Sequence, residues 1–80
     1  MKTSIKDENG IIEAIYDSSN IASSKFETET NTLYITFVKG GLVYKYENVS
    51  PSDYFDLQDS ESTGKEFIGK IQNKYKGEKV

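Results

Sequence analysis

Residues Leu33 to Glu47, LYITFVKGGLVYKYE, hold two alternating apolar runs separated by Gly40 and Gly41, and such a segment folds most naturally as a β-hairpin. In the first run Leu33, Ile35 and Phe37 share one face and Tyr34, Thr36 and Val38 the other. Both faces carry apolar area, so this strand belongs in the middle of a sheet. The glycine pair supplies the positive φ that a tight turn requires. In the second run Leu42, Tyr44 and Tyr46 face one way, and Val43, Lys45 and Glu47 the other.

The flanking segments extend this hairpin into a small α+β domain. Upstream, IASSKF at 21–26 reads as a polar strand, joined to Leu33 by the charged loop at 27–32. Residues 11–16 fit either a short amphipathic helix or the second arm of a hairpin turning at Asn9 and Gly10. Downstream, Ser50, Pro51 and Asp53 have the pattern of a helix start, with Ser50 as N-cap and Asp53 closing a capping box. That helix is expected to run to about Gln58 and to anchor through Tyr54, Phe55 and Leu57. Ser62 or Thr63 caps a second helix, with Thr63 and Glu66 in a second capping-box pattern, ahead of a stripe of Phe67, Ile68, Ile71 and Tyr75. The expectation is a three-stranded antiparallel meander (21–26, 33–38, 42–47) followed by two α-helices (51–58 and 64–75) packed on one face, with an extra N-terminal strand or helix. Residues 1–17 form an N-terminal extension, 18–76 the domain proper, and 77–80 a tail expected to fray.

The residue inventory excludes much chemistry. The 80-residue chain has no histidine and no cysteine, which removes the commonest general base, the thiol nucleophile and the best transition-metal ligands. Its serines lie in turns without a partner base, and its acidic residues, Glu27, Glu29, Asp53, Asp56, Asp59 and Glu61 among them, lack the spacing of a calcium loop. No catalytic, cofactor or metal site is expected, and the chain reads as a non-enzymatic binding protein. The N-terminus has no long apolar run, so a cytoplasmic protein without a membrane segment is expected.

Charge is polarised along the chain. Net charge is −3, but residues 1–63 hold five Lys against eleven acidic residues, whereas 64–80 hold five Lys against two. Lys65, Lys70, Lys74 and Lys76, beside Tyr75, therefore make a basic edge that suits phosphates or an acidic partner. The competing account is a solvated helix end favoured by the helix dipole. Tyr44 and Tyr46 offer a stacking platform for bases. Packing is preferred for them, because Leu42 on the same face needs cover.

From Ser18 to Lys76 the sequence resembles the KTSC domain family. The matching features are SSNI at Ser18–Ile21, Phe26, the pattern of Leu33, Ile35 and Phe37, the glycine turn, Tyr44 and Tyr46, and Val49. They continue with Tyr54, Leu57, Ser62, Gly64, Ile71 and Tyr75. Two departures stand out: Pro51 lies one position later than in the family pattern, and Ser24 replaces an aliphatic residue. The family takes its name from the C-terminus of some lysyl-tRNA synthetases and includes stand-alone bacterial and phage proteins. The resemblance thus implies an RNA-associated accessory module, here acting through the basic C-terminal helix. The alternative is a protein-interaction module that engages a host protein through the acidic face or an open sheet edge, where dimerisation is also expected.

Overall fold

The structure, a computed structural model, describes residues 2–80. A six-stranded antiparallel sheet runs in the order β1 (Lys2–Glu8), β2 (Ile11–Tyr16), β3 (Ile21–Glu27), β4 (Thr32–Phe37), β5 (Val43–Tyr46) and β6 (Gly77–Lys79). Between β5 and β6 the chain forms α1 (Pro51–Asp59) and α2 (Thr63–Glu66), which continues into a more widely wound π-helical segment, Phe67–Gln72. Both helices pack on one face of the sheet. No helix among the described residues is long and apolar enough to cross a membrane.

This architecture corrects the three-stranded meander, although the α+β class stands. Residues 2–16 resolve into a hairpin turning at Asn9 and Gly10, both at positive φ (56° and 77°). Long-range pairing decides between strand and helix here: Ile12 lies opposite Phe26 and Ala14 opposite Ser24, so β2 buries its alternate residues in the common core. The N-terminal segment is thus part of the sheet. At the other end the expected fraying tail forms β6, because β5 would otherwise present unpaired backbone groups; Val80 N–H donates to the Val43 carbonyl at 2.9 Å.

Local helix-start chemistry also differs. Ser50 makes no side-chain cap, and Asp53 turns away to accept hydrogen bonds from Lys74 and Tyr75. Of the two candidate caps for the second helix, Ser62 takes the N-cap position of α2, again without a side-chain cap. The last helix is shorter than 64–75: Asn73 N–H bonds the Ile68 carbonyl five residues back, which leaves Ile71 buried but Ile68 exposed.

The core lies between the sheet and the helices. Ile12, Ile21, Phe26, Leu33 and Ile35 meet Val49, Tyr54, Leu57, Phe67 and Ile71. A register shift between Ile21 and Ser23 lets Ile21 join Ser24 and Phe26 on the covered face. The opposite face of the sheet is bare. Its middle row, followed strand by strand from β1 to β6, reads Lys6, Glu13, Lys25, Tyr34, Lys45, Glu78.

Candidate functional site

Where β4 and β5 run past the end of α2, the covered face of the sheet loses its cover. Phe37, Leu42, Tyr44, Tyr46 and Gln72, with Lys39 at the turn, line an open basin of about 540 Å³. The turn itself is a single tight helical turn at Lys39–Gly41, with Gly40 and Gly41 at φ 72° and 62°, as the glycine pair requires.

The basin floor is an aromatic ladder that climbs out of the core. Phe67 is met edge-on by Tyr46 (centroids 5.8 Å apart) and by Phe37 (5.5 Å), and Phe37 is met edge-on by Tyr44 at 5.6 Å. Tyr46 is 4% exposed, Tyr44 is half-buried and Leu42 is 40% exposed, so the ladder passes from core to surface within one strand. Such edge-to-face contacts fix ring orientation, and the outermost ring, Tyr44, is half-buried at the basin's edge. Burial, helped by the nearby Tyr44 phenol, pushes the Tyr46 hydroxyl above its ordinary pKa, so it stays protonated.

β6 completes the rim. Gly77 pairs with Tyr46, and a Cβ there would stand 2.6 Å from Tyr46 Cε2, so only glycine lets the ring lie against this backbone. Two residues on, Lys79 stands opposite Tyr44. Opposed residues of antiparallel strands share a face, which sets Lys79 on the basin side as Lys39 is at the turn. Among the described residues neither lysine enters an ion pair. The basin thus combines an apolar aromatic floor with two uncommitted cations in an otherwise acidic chain.

The basic edge expected from sequence is distributed differently. Lys74 Nζ lies 2.7 Å from Asp53 Oδ2, and Lys70 Nζ lies 3.5 Å from Asp56. The Lys74 hydrogen bond, reinforced by that of Tyr75, holds the Asp53 carboxyl below the usual carboxylate range against the opposing effect of burial. Tyr75 donates its hydroxyl to Asp53 and accepts the Ser50 backbone N–H, pinning the start of α1 to the end of the helical layer. Lys65 borders a separate depression of about 320 Å³ that also includes Asp17 and Glu61. Lys76 is exposed just ahead of β6. The structure therefore joins Tyr44 and Tyr46 in one site but leaves Lys65, Lys70 and Lys74 outside it. Lys39 and Lys79, which sequence reasoning did not single out, take the rim positions; their 40-residue separation hides the pairing of β5 with β6.

Comparison with known proteins gives a consistent picture. A family model described as the KTSC domain matches residues 17–75. Six solved chains match, among them the crystal structure of a KTSC domain protein from Yersinia pestis. That protein is 26% identical, with a TM-score of 0.79 over 88% of this chain and 97% of its own. No curated protein matches.

Proposed function

The chain belongs to the KTSC domain family, and from that premise we propose that it is a non-enzymatic module that binds single-stranded RNA in the aromatic basin. The observation that carries this reading is the half-buried Tyr44 at the basin's outer edge, flanked by Lys39 and Lys79. A base stacks on an exposed aromatic face whatever its identity, and ammonium groups at the rim neutralise the adjoining phosphates as point charges. A protein-binding role through the acidic face has less support, since Asp53 and Asp56 are already engaged by Lys74 and Lys70. Pairing through the long open edge is opposed by the Lys2, Lys6, Asp7 and Glu8 side chains that β1 carries.

Two rim lysines imply a shallow salt dependence, with log K falling against log salt with a slope of about −1.4 for two phosphates of a single strand. The test is fluorescence anisotropy of a labelled, mixed-sequence single-stranded RNA at low salt. Tyr44→Ala is expected to weaken binding roughly 5- to 150-fold, the range of one lost stacking contact. Lys39→Glu with Lys79→Glu is expected to abolish binding, and Lys70→Glu to leave it unchanged. Absence of binding at high micromolar protein, or equal loss with Lys70→Glu, overturns the reading.

A further inference from the structure

The bare face of the sheet carries a charge order that is its own complement. Across the middle row the residues read Lys6, Glu13, Lys25, Tyr34, Lys45, Glu78. A two-fold axis parallel to the strands, passing between β3 and β4, lays β1 of one protomer over β6 of its partner, β2 over β5 and β3 over β4. Each Lys6 then meets a Glu78, each Glu13 a Lys45, and each Lys25 a Tyr34; Lys6 and Lys45 already reach Glu8 (3.4 Å) and Glu47 (3.3 Å) two residues along the chain, surface pairs weak enough to share the lysine with a facing carboxylate. Every pair in the row is attractive, and the last repeats across two molecules the contact that Lys25 already makes within one, 5.5 Å from the Tyr34 ring centroid.

The next row agrees. Ile15, 55% exposed, would lie over Val43, and Ser23 over Thr36, so neutral residues meet neutral ones. These residues border a shallow depression of about 590 Å³, beside which Ile15 stands as a projecting apolar side chain. Packed sheets cross at about −30°, which displaces contacts most at the outer strands. The inner contacts, Glu13 with Lys45 and Lys25 with Tyr34, therefore carry the register.

We infer that this face is the interface of a reversible, two-fold symmetric dimer of the chain, packed sheet on sheet. Six strands about 4.8 Å apart and about 20 Å long offer roughly 500 Å² per protomer. The total of about 1,000 Å² sits at the lower bound for a specific interface, so the dimer forms and dissociates with concentration. The aromatic basin lies on the opposite face and remains open in the dimer, which makes this inference independent of the ligand assigned to that basin.

Sedimentation equilibrium of the full chain at low salt, from low micromolar to millimolar, tests it. A monomer–dimer equilibrium that weakens with salt is expected. Lys45→Glu and Glu13→Lys should each weaken association about tenfold or more, because each sets like charges against one another. An equimolar mixture of the two variants should associate again, since in the mixed dimer both contacts regain opposite charges. Unchanged thermal melts of the two variants, both altered at solvent-accessible positions, would exclude unfolding as the cause. A chain monomeric throughout the range, a dimer indifferent to both substitutions, or a mixture that stays monomeric overturns the inference. RNA contacting Tyr34 in a chain that does not self-associate would do the same.

Discussion

Tyr16 and Tyr54 on one side of the helix-covered core, and Tyr44 and Tyr46 on the other, are the same residue type put to opposite uses. Tyr16 and Tyr54 share a buried relay: Ser24 Oγ lies 2.8 Å from the Tyr16 hydroxyl and 3.1 Å from that of Tyr54, to which Gln58 Nε2 donates at 3.2 Å. Gln58 in turn accepts from Lys2 at 3.5 Å, which links the relay to a charged side chain on β1. Tyr54 also stacks on Phe26, with centroids 4.7 Å apart and rings nearly parallel. The hydroxyls of Tyr44 and Tyr46, by contrast, make no hydrogen bond to another described residue, and their rings meet Phe37 and Phe67 edge-on, with Tyr46 also lying against the Gly77 backbone. The closed pair spends its polar groups on the fold. The outer pair grades from Tyr46, 4% exposed and part of the core, to the half-buried Tyr44, whose phenol is the one left at the surface for a ligand.

The most severe way to break this contrast is to remove one ring from each pair. Tyr54 is fully buried, and Tyr54→Ala should cost about 3–5 kcal/mol, the usual range for deleting a core aromatic. That equals the roughly 3–5 kcal/mol that a single small core supplies in total, so the variant should be largely unfolded in water. Tyr44→Ala, at a half-exposed site, should cost about 1 kcal/mol or less and keep a cooperative urea transition. Equal losses in the two variants would end the distinction between them.

A smaller change sharpens the contrast by touching hydroxyls alone. Ser24→Ala removes the one oxygen that Tyr16 and Tyr54 share, leaving the Tyr16 hydroxyl buried without a partner, and should cost about 1–3 kcal/mol in urea unfolding. Tyr46→Phe removes a hydroxyl with no hydrogen-bond partner among the described residues and should change stability by less than about 0.5 kcal/mol.

The two regions were also unequally legible in the sequence. The face of Leu33, Ile35 and Phe37, the glycine turn and the burial of Phe67 and Ile71 follow from local periodicity, and all appear in the fold. Ser24 reads only as a polar residue on a polar strand; its purpose exists once β2 and α1 bring two phenols to it from 8 and 30 positions away. β6 carries no apolar alternation, and forms because β5 has bonds to offer. The capping-box pattern at Ser50 and Asp53 was present in the letters, but a lysine 21 residues on competes for the carboxylate and wins. Lys79 became a rim residue through that same non-local pairing of β5 and β6, which brings it to the side of the basin where the glycine turn holds Lys39. What sequence conceals here is long-range partnership, and with it the strand identity of the segments, β2 and β6, that only such partners settle.

The mildest perturbation is one of pH, and it probes the junction between the two regions at Asp53. Its carboxyl titrates below the ordinary value chiefly because Lys74 donates to it, with Tyr75 adding a second bond. A carboxyl depressed in the native state contributes stability that is fully present above its unfolded pKa and is lost as pH falls through its native pKa. Asp53→Asn should therefore lower Tm by a few degrees at neutral pH. The gap from the parent should narrow as pH drops below the ordinary carboxylate range, where the parent loses its own charge. Lys74 shifts the opposite way, raised by the same partner, so its contribution fades only as pH rises through that raised value. Thermal melts at neutral and strongly acidic pH decide the matter. A Tm gap that persists undiminished in acid would mean that Asp53 serves by shape and not by charge, and that the end of the helical layer beside the basin is held by Tyr75 and packing alone.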